Sequence, residues 1–197
     1  MPNRFTPRSW KRSVVRASRI PLSGQNLTLG KVAEHHDDVV SSLRFAFDIR
    51  SPFATIRFPA ATPAEINARL GERLLETEIS SVMNVLAAIE ARFRVDYLER
   101  SFQKRKDRLS RELRHLYAKR GARASLEEEI LASWKMATDV PHRLIAELKS
   151  AFKYRHWIAH GRYWSPKLGQ KYDFFGIHTL AQLVESSFPF VSASKSR

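Results

Sequence analysis

One long apolar stripe constrains the fold of this chain more than any other feature. Ile66, Leu70, Leu74, Ile79, Val82, Met83, Leu86, Ile89, Phe93 and Tyr97 follow helical spacing, the pattern of a helix that buries one face. Thr62-Pro63-Ala64-Glu65 supplies its start. The threonine hydroxyl can cap, proline suits the first helical position, and Glu65 closes a capping box. The stripe resumes at Leu109, Leu113 and Leu116. Drawn straight from Pro63 to Lys119 it would be about 85 Å long at 1.5 Å per residue. That exceeds what one compact domain of 197 residues holds unless a hairpin projects from it. A break or bend is therefore expected between Arg92 and Arg108, although no proline or glycine marks the place.

The remaining elements follow the same logic. Val32, His36, Val39, Val40, Leu43 and Phe47 predict a first helix from about Thr28 to Phe47. Ser51-Pro52 ends it, and Phe53 to Pro59 is expected to be extended. Gly121 ends the long element. Ser125 with Glu128 forms a second capping box, opening a helix to about Met136. A further helix runs from about Pro141, with Leu144, Ile145, Leu148, Ala151 and Phe152 as its apolar stripe. After a polar loop at Pro166 and Gly169, a short last helix carries Ile177, Leu180, Ala181 and Val184. There is no internal repeat and no run of alternating strands. The expected fold is all-α, a bundle of about five to seven helices over 27–188. A basic, mostly irregular arm over 1–26 precedes it, and a Ser-rich tail over 189–197 follows.

Extended by its own period, the stripe of the helix from Pro141 falls on Arg155 and then on Ile158 and Ala159. An unpaired buried charge is costly. Arg155 therefore has a partner, or it faces a cavity or another subunit. Glu90 and Asp96 are the carboxylates expected to neutralise it across the bundle. The octapeptide Tyr154-Arg155-His156-Trp157-Ile158-Ala159-His160-Gly161 resembles the signature of the HEPN family: an arginine, a polar residue and, a few residues later, a histidine near a helix end. The resemblance implies an all-helical bundle that often forms homodimers with the two motifs facing each other. In active members that composite site cleaves RNA without a metal. It makes Arg155, His156 and His160 the candidate catalytic residues, with His156 orienting the other two. It also implies a toxin or phage-defence role, with an antitoxin protein as a further partner.

The residue types suit that chemistry. Histidine titrates near neutrality and serves as base or acid. Arginine stays charged and grips phosphate oxygens through two donors. On an ideal helix Arg155 and His160 lie about 140° apart. They meet only if the helix unwinds near Gly161 or if two subunits share the site. The structural alternative is a salt-bridged Arg155 and a His160 that stabilises a helix end, in a non-catalytic dimerisation or partner-binding module. Tyr154, Trp157, Tyr163 and Trp164 surround the motif. They suit core or dimer-interface packing, and Tyr163 is the candidate to stack on unpaired bases.

Charge points to the same class of partner. The chain carries a net charge of +14 and a pI near 10.5, which calls for a polyanionic partner, nucleic acid before membrane. Arg100, Lys104, Arg105, Lys106, Arg108, Arg111 and Arg114 form a stretch opposed only by Asp107 and Glu112. This is an electrostatic footprint for RNA phosphates without sequence readout, or else a solvated basic helix. The first acidic residue is Glu34, so the start mimics a transit peptide, but it reads better as a solvated basic arm. With no cysteine there are no disulfides and no thiolate chemistry, in keeping with a reducing, cytoplasmic setting. No apolar run reaches the roughly 18 residues that span a bilayer. Glu34-His35-His36-Asp37-Asp38 cannot close round a metal, because helical neighbours point apart. No phosphate-cradling glycine loop, zinc spacing or dinucleotide fingerprint is present, and no cofactor is expected.

Overall fold

The structure, a computed structural model, describes residues 22–168 and 172–191. Most of the basic arm, Gly169 and the end of the Ser-rich tail lie outside the described residues. The described chain is all-helical: α1 Leu29–Ala46, α2 Pro52–Arg57, α3 Pro63–Phe102, α4 Arg108–Arg120, α5 Leu131–Ala137, α6 His142–Ala159 and α7 Phe174–Ser187. A 3₁₀ turn at Gly121–Arg123 and a π turn at Leu126–Ile130 join α4 to α5. None of these helices is long and apolar enough to cross a membrane.

The long stripe is α3, 40 residues, or about 60 Å of helix. Its capping box is formed in both directions. Glu65 N–H donates to the Thr62 hydroxyl at 3.3 Å, and Thr62 N–H donates to Glu65 Oε2 at 2.7 Å. α1, α4, α6 and α7 all pack against α3. The side chains buried among them form one cluster from Leu29 to Phe188. Its aromatic centre sets Phe93 and Trp134 edge-on against Phe188 and Phe190.

The break in the stripe falls at residues 103–107. It needs no proline or glycine because Asp107 starts a new helix, accepting from Ser110 N–H at 2.9 Å and from the Ser110 hydroxyl at 2.8 Å. Two expectations are corrected. The segment after Ser51 is helical: the Ser51 hydroxyl accepts from Phe53 N–H at 3.2 Å with Pro52 in the first turn, so the pair expected to stop α1 begins α2. The Ser125 cap also closes differently. Its hydroxyl takes Glu128 N–H at 3.3 Å, but the returning carboxylate is Glu129, which accepts Ser125 N–H at 2.8 Å. The first turn is wound as π, with Ile130 N–H on the Ser125 carbonyl, and this brings Glu129 back over the cap in place of Glu128.

α6 ends as its sequence anticipates. Gly161, at φ +80°, places its N–H on the Ile158 carbonyl, and Arg162 N–H bonds back to the Trp157 carbonyl. This is the six-to-one and five-to-two pattern that closes helices on a left-handed glycine. A Cβ at Gly161 would meet nothing within 4 Å, so the cost of Gly161→Ala is conformational alone. The expected loss is about 1 kcal/mol, measurable as a fall of roughly 3 °C in the thermal midpoint.

Candidate functional site

The buried stripe of α6 runs through Leu148, Ala151 and Phe152. Arg155 stands next in line and meets α3. Its Nη1 lies 3.0 Å from Glu90 Oε2, with side-chain exposures of 33% and 19%. Glu90, one of the two carboxylates anticipated, is thus the partner. Its other oxygen is 2.8 Å from Arg94 Nε, and Arg94 Nη1 reaches the Ala124 carbonyl at 3.3 Å. One carboxylate therefore stands between two guanidinium groups, leaving an excess positive charge. Arg155 Nε is buried with no partner of its own. Among the described residues Glu90 is thus the ion-pair partner of Arg155, through Nη1, while Nε makes no hydrogen bond.

His156 and His160 occupy a different, exposed side of the same helix. Their ring centroids are 4.1 Å apart and tilted at 54°. The helix stays wound up to this point, since His160 N–H bonds to the His156 carbonyl at 3.1 Å. Within one chain Arg155 and His160 therefore diverge as the helical period demands, and the structure does not pair them. Trp164 lies 6.2 and 6.4 Å from the two imidazoles. Its carbonyl accepts Trp157 Nε1–H at 2.6 Å, which pins the returning segment against α6. Tyr163 is 83% exposed and edge-on to Trp164. Tyr154 is buried and stacked between Trp157 and Tyr172. Of the four aromatics, then, Tyr154 is core, Trp157 and Trp164 are half-buried, and Tyr163 alone stands free for stacking.

Arg162 holds the loop in place from the other side. It takes φ +59°, uncommon for a residue with a Cβ. A two-pronged bridge to Glu76, at 2.9 and 3.1 Å, anchors it to α3.

The basic stretch divides. Lys104, Arg105, Lys106, Arg108 and Arg111 are exposed. Arg114 is half-buried, with Nη1 donating to the Gln103 carbonyl at 3.4 Å. Arg100 departs from the expected phosphate-binding role. It is buried and fully engaged by Asp96, Asp107, Ser110 and the Pro189 carbonyl. The reason is positional: Arg100 lies on the core side of α3, whereas the others stand on the 103–107 linker and the outer face of α4. His36, from the acidic–histidine run of α1, hydrogen-bonds the Ser81 hydroxyl at 2.9 Å and stacks on Phe174.

Sequence reading missed Arg94, Glu76 and Glu127. Arg94 is four residues after Glu90, a helical pairing distance that offered a clue. Glu127 sits on the π turn and is coupled electrostatically to Lys149, Lys153 and His156. Burial raises its carboxyl above the ordinary value, neighbouring Glu128 adds to this, and Lys149, Lys153 and His156 oppose it. The folded state thus holds the Glu127 proton more tightly than the unfolded chain does. Its ionisation opposes folding once pH rises past the unfolded value. Glu127→Gln is accordingly expected to raise the thermal midpoint by about 1 °C at pH 7. The gain should vanish below about pH 4, where both states are protonated. An unchanged difference across that range would remove this account.

Fold and site together define an all-α bundle with an arginine–carboxylate–arginine cluster and an exposed histidine pair at one helix end. Compared with protein-family models, curated proteins and solved structures, the chain matches none.

Proposed function

We propose that this chain is an RNA-binding protein that cleaves RNA without a metal. The observation that carries the reading is the exposed His156–His160 pair, 4.1 Å between rings, on the helix whose Arg155 shares a single carboxylate with Arg94. Internal cleavage needs one group to take the 2′-hydroxyl proton and another to protonate the leaving 5′-oxygen. It also needs fixed positive charge where the phosphorane develops. The 2′-oxygen bonds to phosphorus, the bond from phosphorus to the 5′-oxygen breaks, and the products are a 2′,3′-cyclic phosphate and a 5′-hydroxyl. No water or metal enters that balance. His160 is the acid–base residue: in one copy it takes the 2′-hydroxyl proton, in the second copy it protonates the leaving 5′-oxygen, and His156 is the group that orients it. Arg155, with Arg94 beside it, supplies the charge.

Because Arg155 and His160 diverge within one chain, the HEPN resemblance assigns their meeting to a homodimer in which each copy completes the other's site. The exposed residues Lys104, Arg105, Lys106, Arg108 and Arg111 draw in the RNA backbone. Tyr163 offers a ring to an unpaired base. A toxin or defence role, with an inhibitory antitoxin partner, follows from the same resemblance.

One observation favours the second reading, a non-catalytic dimerisation and binding module: Arg155 is already held by Glu90 at 3.0 Å. The deciding experiment treats a mixed tRNA and rRNA pool with the purified protein in EDTA. Cyclic phosphate ends are the expected product. RNA that is bound but left whole would select the module.

A further inference from the structure

Seven histidines stand in the chain, and His156 and His160 are the only two spaced four residues apart. Residues so spaced lie one above the other on a single helix face, with Cβ atoms about 5–6 Å apart. α6 keeps that spacing fixed. His160 N–H bonds to the His156 carbonyl at 3.1 Å, and Gly161 closes the helix just beyond. The bond from Trp157 to the Trp164 carbonyl and the bridge from Arg162 to Glu76 hold the chain that follows. The pair is thus carried on a backbone already set for a ligand that both rings share.

The two rings are close, 4.1 Å between centroids and tilted at 54°, and both are exposed. Among the described residues neither imidazole makes a hydrogen bond or an ion pair, and their ring partners are each other and Trp164. Two neutral imidazoles with free nitrogens on one helix face form a bidentate chelate for a transition-metal ion. Other histidines lack that arrangement. His35 and His36 are neighbours that point apart, and His36 is held by the Ser81 hydroxyl at 2.9 Å. His142 lies 3.3 Å from the Lys135 carbonyl.

Distance selects among metals. A metal–nitrogen bond of about 2.0–2.1 Å puts the ion roughly 3.2 Å from each ring centroid. Two ligands at right angles then set the centroids about 4.5 Å apart, and two at the tetrahedral angle about 5.2 Å apart. The observed 4.1 Å lies nearer the first, within small rotations of two exposed side chains. Adjacent positions at right angles belong to tetragonal Cu²⁺ and Ni²⁺, which imidazole suits. Mg²⁺ seeks oxygen ligands and a near-ideal octahedron, which two imidazoles do not offer. Lys149 and Lys153 precede the pair on α6, but Glu127 is electrostatically coupled to both and to His156, and its carboxylate offsets part of their charge.

We propose that His156 and His160 together chelate one Cu²⁺ or Ni²⁺ ion, and that the bound ion shuts off RNA cleavage. A nitrogen that ligates a metal has no lone pair left for the 2′-hydroxyl proton, and the other nitrogen of a neutral imidazole already carries its hydrogen. The metal site stands on the geometry of the pair, whereas its regulatory consequence rests on the nuclease reading.

Calorimetric titration of the full chain with Ni²⁺, and separately with Cu²⁺, tests the site without RNA. About one ion per chain is expected to bind, and Mg²⁺ is expected to give no heat of binding. His156→Ala and His160→Ala each leave a single imidazole. Each is expected to weaken binding at least tenfold while melting as the wild type does, and His142→Ala is expected to bind as the wild type does. Absence of binding, or binding that either variant of the pair leaves unchanged, would overturn the chelate. In the RNA assay Ni²⁺ is expected to abolish cleavage and excess EDTA to restore it. Cleavage that continues with the pair saturated would overturn the regulation. Failure of the nuclease reading looks different: the ion would still bind through both histidines while RNA stays whole in EDTA.

Discussion

Replacing Arg100 with alanine is expected to lower stability by about 3–5 kcal/mol, seen as a fall of roughly 10 °C in the thermal midpoint. Arg100 is 4% exposed and Asp96 is fully buried. The guanidinium meets Asp96 at 2.8 Å, Asp107 at 3.1 Å and the Ser110 hydroxyl at 3.2 Å. It also meets the Pro189 carbonyl at 2.6 Å and lies over the Trp134 ring. One side chain thereby ties α3 to the cap of α4 and to the segment after α7. The second Asp96 oxygen accepts Val191 N–H at 2.7 Å, holding that segment at a further point. Burial pushes the Asp96 carboxyl up from its ordinary value, against the pull of Val191 N–H and Arg100. Without Arg100 an uncompensated carboxylate would remain in the core. Arg100→Lys is expected to rescue little, since an ammonium cannot reach four acceptors in a plane. Adding Asp96→Asn to Arg100→Ala should recover part of the loss, because the two positions are coupled. A variant that melts within a degree or two of wild type would show that the clasp contributes little.

His160→Ala is expected to reduce metal-independent RNA cleavage by about 10²–10⁴-fold, the usual weight of one acid–base group. Stability should stay within about 0.5 kcal/mol, because an exposed side chain is removed. His156→Ala should lower cleavage less, as befits a residue that orients its neighbour. Arg155→Ala is a less clean probe: it also leaves Glu90 with Arg94 as its sole cation. Arg155→Lys, which keeps charge but loses the planar fork, is therefore the informative companion. Cleavage rates indistinguishable among wild type and all four variants would place any activity elsewhere, and the proposed site would fall.

Much of this fold was legible before any coordinates, and for local reasons. Thr28 and Thr62 accept helix N–H groups through their own side chains, and Gly121 and Gly161 supply positive φ at helix ends. Such signals act within one turn of chain, so spacing reveals them. The misreadings were local too. Ser51-Pro52 can end or begin a helix, and only the Phe53 N–H on the serine hydroxyl tells which. Glu128 and Glu129 are equally placed to return to Ser125 until the π winding selects Glu129.

The candidate site divides along the same line. Residue types and helical period alone determined that Arg155 needs a partner, that it and His160 diverge on one helix, and that the chain is basic enough to seek a polyanion. Which carboxylate meets Arg155 and which cation of the 100–114 stretch turns inward were decided by tertiary structure alone. Those pairings join residues 65, 89 and 95 positions apart in sequence. They depend on how α6, α7 and the final segment cross α3, and helical periodicity fixes the face a residue occupies but not what lies opposite it.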